Sequence, residues 1–114
     1  MAQKIIHPNE WTVFLNDFNK KHRGKIISLE VTDDNKKKID EISSIPLKEI
    51  GISSVDKENT VTQIIAGMTS TNSHFIDLTD KIVLEQSDSG NPLMLRIISS
   101  KGRSATIRFL SMAD

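Results

Sequence analysis

Three histidines and a scatter of carboxylates are the residues best able to do chemistry in this chain. His74, Asp77 and Asp80, each three positions from the next, form the nearest thing to a ligand cluster, an imidazole with two carboxylates. Successive residues of a strand point to opposite faces, so His74 and Asp77 converge only if the segment bends. A metal centre needs a further histidine, a third carboxylate or a substrate oxygen. The favoured reading is therefore turn-capping aspartates beside a partly buried histidine, with no metal and no cofactor expected. Serine is abundant, yet no Gly-x-Ser-x-Gly elbow strains and exposes one. The five glycines, at 24, 51, 67, 90 and 102, never approach the spacing of a phosphate-cradling loop. Cysteine is absent, which removes disulfides, thiolate nucleophiles and Cys-based zinc sites together. No catalytic residue is assigned on this basis, and a non-catalytic role is favoured.

The densest run of positive charge is Lys20-Lys21-His22-Arg23-Gly24-Lys25. It offers either an anion or nucleic-acid contact, through Lys20, Lys21, Arg23 and Lys25 with Arg96 and Arg108, or ordinary helix-end electrostatics. The second reading is favoured, because 15 Lys+Arg are balanced by 15 Asp+Glu in 114 residues. Residues 1–25 carry a net +3 and residues 26–60 a net −3, so the two segments can neutralise one another. Four Phe, one Trp and no Tyr leave little to stack on bases, and nucleic acid is a poor candidate partner.

The elements that must position these residues begin with one helix. Trp11, Phe14, Leu15, Phe18 and His22 form a single stripe at helical spacing. Pro8 suits a first turn, and Gly24 suits a left-handed close. The helix is expected over about 8–22. From there the period changes to two, and many β-branched residues favour pleated structure. Strands are expected over about 25–32, 37–44, 61–66, 74–78, 81–87, 93–99 and 104–110. Ile39 and Ile42 differ in parity, so the second strand needs a bulge. Ile45-Pro46-Leu47 is expected to break pairing, and Lys48–Asn59 and Thr69–Asn72 read as loops. Lys36-Lys37-Lys38 reads as an exposed edge that discourages aggregation.

In the last hairpin, Leu93, Leu95 and Ile97 share a face, as do Ala105, Ile107 and Phe109. These faces coincide only across an odd-length loop, and three residues with Gly102 at positive φ fit. One such register pairs Ile97 with Ile107, Leu95 with Phe109 and Arg96 with Arg108, with Glu85 nearby on the polar face.

Several short pieces resemble a family of small, uncharacterised microbial single-domain proteins known only as a domain of unknown function. They are Pro8-Asn9-Glu10-Trp11-Thr12-Val13-Phe14, His22-Arg23-Gly24, Ile45-Pro46-Leu47, His74-Phe75-Ile76, Val83-Leu84-Glu85-Gln86 and Thr106-Ile107-Arg108-Phe109. The chain departs from the pattern over Asp33–Lys38, which suggests a variable hairpin. The resemblance implies a free-standing protein with no assigned activity, and it supplies no catalytic residue.

The expected architecture is α+β, one domain over 1–114. An amino-terminal helix packs on an antiparallel, strongly curved sheet of about five to seven strands, forming a small, partly open barrel. The expected core is Trp11, Phe14, Leu15, Phe18, Leu29, Val31, Ile82, Leu84, Leu95, Ile97, Ile107 and Phe109. With no signal-peptide pattern and no membrane-spanning run, a cytoplasmic location is expected. Three functions follow. The first is an interaction module, docking a protein or a second copy through a sheet edge or the face bearing Glu85, Arg96 and Arg108. The second is a small nucleic-acid or anion binder, and the third is a small-molecule site near His74.

Overall fold

The structure, a computed structural model, describes residues 2–54, 60–67 and 71–110. Among the described residues, one α-helix and eight strands follow in the order β1 (Ala2–Ile6), α1 (Trp11–His22), β2 (Ile26–Thr32), β3 (Lys38–Ser54), β4 (Thr60–Gly67), β5 (Thr71–Ile76), β6 (Thr79–Gln86), β7 (Pro92–Ser99) and β8 (Ser104–Phe109). All strands join one antiparallel sheet in the spatial order β1-β6-β7-β8-β2-β3-β4-β5. Eight strands exceed the five to seven expected from periodicity. The barrel expectation is also corrected: β1 and β5 stand at the two ends of the sheet and, among the described residues, do not pair with one another, so it stays open. The two halves still meet inside, where the Thr62 and Thr79 hydroxyls lie 2.8 Å apart and bridge β4 to the start of β6.

The helix forms where its stripe demands it. Pro8–Glu10 make a 3-10 turn that leads into α1, and the His7 ring accepts a hydrogen bond from the Asn9 N–H at 3.2 Å. Trp11, Leu15 and Phe18 are buried, while Phe14 is half-buried against the core. Gly24 closes the segment at φ +90°. The expected core residues all belong to or pack against one cluster, joined by Leu47, Ile50, Ile64, Ala66 and Ile76 from β3–β5.

Two segments depart from expectation. β1 was not foreseen: it pairs with β6 so that Lys4 faces Leu84 and Ile6 faces Ile82. The buried Trp11 indole N–H donates to the Ile6 carbonyl at 2.9 Å and fastens this strand to the helix. β3 does not end at 44. It continues through Pro46 to Ser54, so the expected break at Ile45-Pro46-Leu47 and the loop from Lys48 to Ser54 are corrected, and Val55–Asn59 lie outside the described residues. Its first half pairs with β2 as far as Pro46, and its second half pairs with β4 from Leu47. A proline, lacking an N–H, is tolerated where one ladder stops and another starts on the opposite side.

The bulge needed near Ile39 and Ile42 is present. The β2–β3 register shifts between Val31 and Thr32, and again between Ile27 and Leu29, where Ser44 adopts φ +55°. Thr71 and Asn72, expected in a loop, open β5, and residues 69–70 lie outside the described residues.

The final hairpin has its three-residue loop, with Gly102 at φ +95° and Ser99 N–H donating to the Arg103 carbonyl at 2.7 Å. Its register differs from the one proposed by two residues. Leu95 pairs with Ile107, Ile97 with Ala105 and Arg96 with Thr106, so Arg96 is not opposite Arg108. The loop occupies 100–102 instead of 101–103, and parity is preserved because a two-residue slide keeps every face.

Candidate functional site

The histidine–aspartate cluster is not assembled. His74 sits in β5 opposite Ile64, and Asp77 and Asp80 flank the bend at Leu78, where φ is +49°. Among the described residues, no three His, Asp or Glu side chains stand close enough to share a metal ion.

Three of the four basic residues at the helix end are engaged locally. Lys21 pairs with Asp17 one turn earlier at 3.0 Å. Arg23 Nε donates to the Lys48 carbonyl at 3.0 Å, and its guanidinium lies 3.7 Å from Glu49. Lys25 Nζ lies 3.0 Å from His22 Nδ1. Lys20 is exposed on the same turn. Arg96 and Arg108 share the outer sheet face with Glu85, but as diagonal neighbours: Arg108 faces Met94 and Ser28, and Glu85 faces Met94. The six candidate binding residues thus fall on two separate surfaces.

Two of the clefts that gather polar side chains lie at opposite ends of the sheet. At the first, the turns after β2, β5 and β7 meet. Asp33, Asp34, Asp77, Ser99, Lys101 and Arg103 line about 230 Å³. Two of these side chains are used within the turns themselves. Asp33 Oδ1 accepts from the N–H groups of Asn35 and Lys37 at 2.9 and 2.8 Å, and Ser99 Oγ accepts from the Lys101 N–H at 3.1 Å.

The second cleft, of about 400 Å³, lies between α1, β1, β6 and the β6–β7 turn. Phe14 and Phe18 stack along the helix with ring centres 5.4 Å apart, and Phe18 meets His22 edge-on at 4.6 Å. Leu84 completes the apolar floor, and Lys4, Asp17, Lys21, Gln86 and Asn91 stand around it. The turn forming one wall is held by Ser87 N–H to Asn91 carbonyl and Gly90 N–H to Ser87 carbonyl bonds of 2.8 and 2.9 Å. Gln86 Nε2 donates across it to the Gly90 carbonyl at 3.2 Å.

His22 is a titratable group of this cleft. Partial burial, then the nearby Lys25 and Lys21 ammonium groups, lower its pKa from 6.5 to about 4, with Asp17 opposing them. An ammonium only donates hydrogen bonds, so Nδ1 accepts from Lys25 and the ring proton of the neutral form sits on Nε2. The stripe Trp11–His22 in the sequence contained the floor of this cleft. It did not contain Leu84, Gln86 or Asn91, which come from β6 and the turn after it, or Lys4, which arrives through the pairing of β1 with β6.

Asn19 is a second residue that the sequence reading passed over. It is buried, its Nδ2 donates to the Ile50 carbonyl and its Oδ1 accepts the Ile50 N–H, both at 2.9 Å. The side-chain amide acts as a surrogate strand on the flank of β3 that β2 has left. Its place was marked by spacing, four residues beyond Leu15 and eight beyond Trp11.

Fold and cleft together describe a mostly-β α+β protein whose helix closes a small hollow against one edge of an open sheet. Its fold is similar to that in the crystal structure of the Bacillus subtilis YojF protein, which aligns over 100% of both chains with a TM-score of 0.53 at 12% sequence identity. No family model matches the chain and no curated protein matches it, so these comparisons assign no activity.

Proposed function

We propose that the protein is a non-catalytic binding module whose ligand occupies the cleft between α1, β1 and β6. The observation that carries this reading is the convergence of Lys4, Lys21, His22, Gln86 and Asn91 over a floor of Phe14, Phe18 and Leu84. Its volume of about 400 Å³ falls within the range of small-molecule sites, roughly 300–1,000 Å³, which combine an apolar lining with a few placed polar groups. Binding is favoured over catalysis because His22, with its pKa near 4 and Nδ1 facing an ammonium, is a poor general base at neutral pH.

A screen of small aromatic fragments, read by amide chemical-shift mapping, tests this. Bound fragments should move the amides of Lys4, Phe14, Phe18, His22, Leu84 and Asn91. Hits that map instead to Asp33–Lys37 and Ser99–Arg103 would sink the assignment.

A second reading, docking of a protein through a sheet edge, is favoured by β5, which ends the sheet and carries no Lys, Arg, Asp or Glu along Thr71–Ile76.

A further inference from the structure

If the helix-end cleft is a binding site, as proposed above, its charge balance sets the class of occupant. Lys4, Lys21 and Asp17 are its charged side chains. Lys21 and Asp17 satisfy each other at 3.0 Å, which leaves Lys4. Lys4 faces Leu84 across the β1–β6 ladder, so its stem lies toward the apolar floor, and among the described residues its ammonium has no ion-pair partner. A lysine can lay its methylenes on apolar surface while its charged head stays wet, and that head remains available to an incoming anion. His22 adds no charge at neutral pH, and with Nδ1 turned to Lys25 its remaining ring nitrogen is a donor. The hollow therefore offers the His22 ring donor and one uncompensated positive charge above two aromatic rings.

We propose that this cleft takes a small organic anion in which a carboxylate is borne on a flat apolar body. The body lies against Phe14, Phe18 and Leu84, and the carboxylate meets Lys4. Aromatic faces suit a planar ligand, since offset and edge-on ring contacts add about 0.5–1.5 kcal/mol beyond simple burial.

Lys4 also has a competing explanation. An inward-pointing charge on an edge strand discourages strand-to-strand aggregation, and that role needs no ligand.

The test titrates the isotopically labelled full chain with sodium benzoate and, separately, with benzamide, its neutral isostere. Benzoate should shift amides around Lys4, Phe14–His22 and Leu84–Asn91 and bind at least tenfold more tightly than benzamide. Lys4→Gln should cut benzoate affinity about tenfold while leaving benzamide affinity unchanged, and Lys4→Arg should restore benzoate binding. Because Lys4 is exposed, these variants retain the fold. Equal affinity for the two probes overturns the anion preference while leaving the cleft a binding site. Absence of shifts with either probe up to its solubility overturns the binding-site reading as well. A Lys4→Gln protein that self-associates yet binds benzoate as the parent does assigns Lys4 to edge protection alone.

Discussion

The two ends of the sheet hold similar numbers of polar side chains and set them against different surroundings. At the end built from the turns after β2, β5 and β7, carboxylates and hydroxyls cap backbone N–H groups a few residues away, as Asp33 and Ser99 do. The turns are also pressed together, with Asp34 so close that a Cβ on Gly102 would lie 3.1 Å from the Asp34 Cβ. At the helix end the polar groups stand over aromatic rings, and their backbone is held by other residues. Both ends use polar side chains to close their turns, as Gln86 does toward Gly90, and the helix end also sets charged and polar groups over an apolar floor.

This contrast can be broken by mutation. The largest effect belongs to Phe18→Ala at the helix end. Phe18 is buried and packs edge-on against Phe109 with centroids 5.7 Å apart, so its loss should cost about 3–5 kcal/mol in urea denaturation. Phe14, half-buried at the cleft floor, should cost less, and equal losses would mean that the floor is core and not a binding surface.

Next comes Gly102→Ala at the turn end. Positive φ and the contact with Asp34 both oppose a side chain, and the expected loss is about 1–3 kcal/mol with no change in ligand binding. A neutral result would mean that the turns are not pressed together.

The smallest effect is the pH dependence contributed by His22. Its pKa is about 4 in the folded protein and about 6.5 when unfolded, so between these values the unfolded chain holds more protons. Stability should therefore fall as pH drops from about 6.5 to about 4 and level off below. The ring is half-buried, and solvent screening holds the loss to about 1 kcal/mol or less. His22→Gln, compared with the parent by denaturation across this range, should remove that component; identical curves would show that His22 titrates normally.

The sequence made legible whatever depends on local periodicity. The helix stripe, the alternation of β2 and the three-residue turn at Gly102 each follow from residues within a few positions of one another. What escaped depends on distant partners. β1 exposes four of its five residues, and only its pairing with β6 gives it a face. Pro46 read as a break because its lost N–H is harmless only where β3 changes neighbours, a fact of topology. The parity rule limited the last hairpin to alternate registers but could not choose among them, since every two-residue slide preserves the faces. The cleft shared both fates: its aromatic floor was visible as a stripe, whereas Lys4 reached it across some eighty residues of chain.

That separation has a consequence for how the protein is made. At about 5–20 residues per second, a ribosome finishes Ile82–Gln86 roughly 4–16 s after Ala2–Ile6 has been polymerised. Through that interval the earliest strand has no ladder to join, and it is left waiting as Gln3-Lys4-Ile5-Ile6 beside a helix that can already be coiled. The wall of the hollow is thus built from residues synthesised early and locked in late.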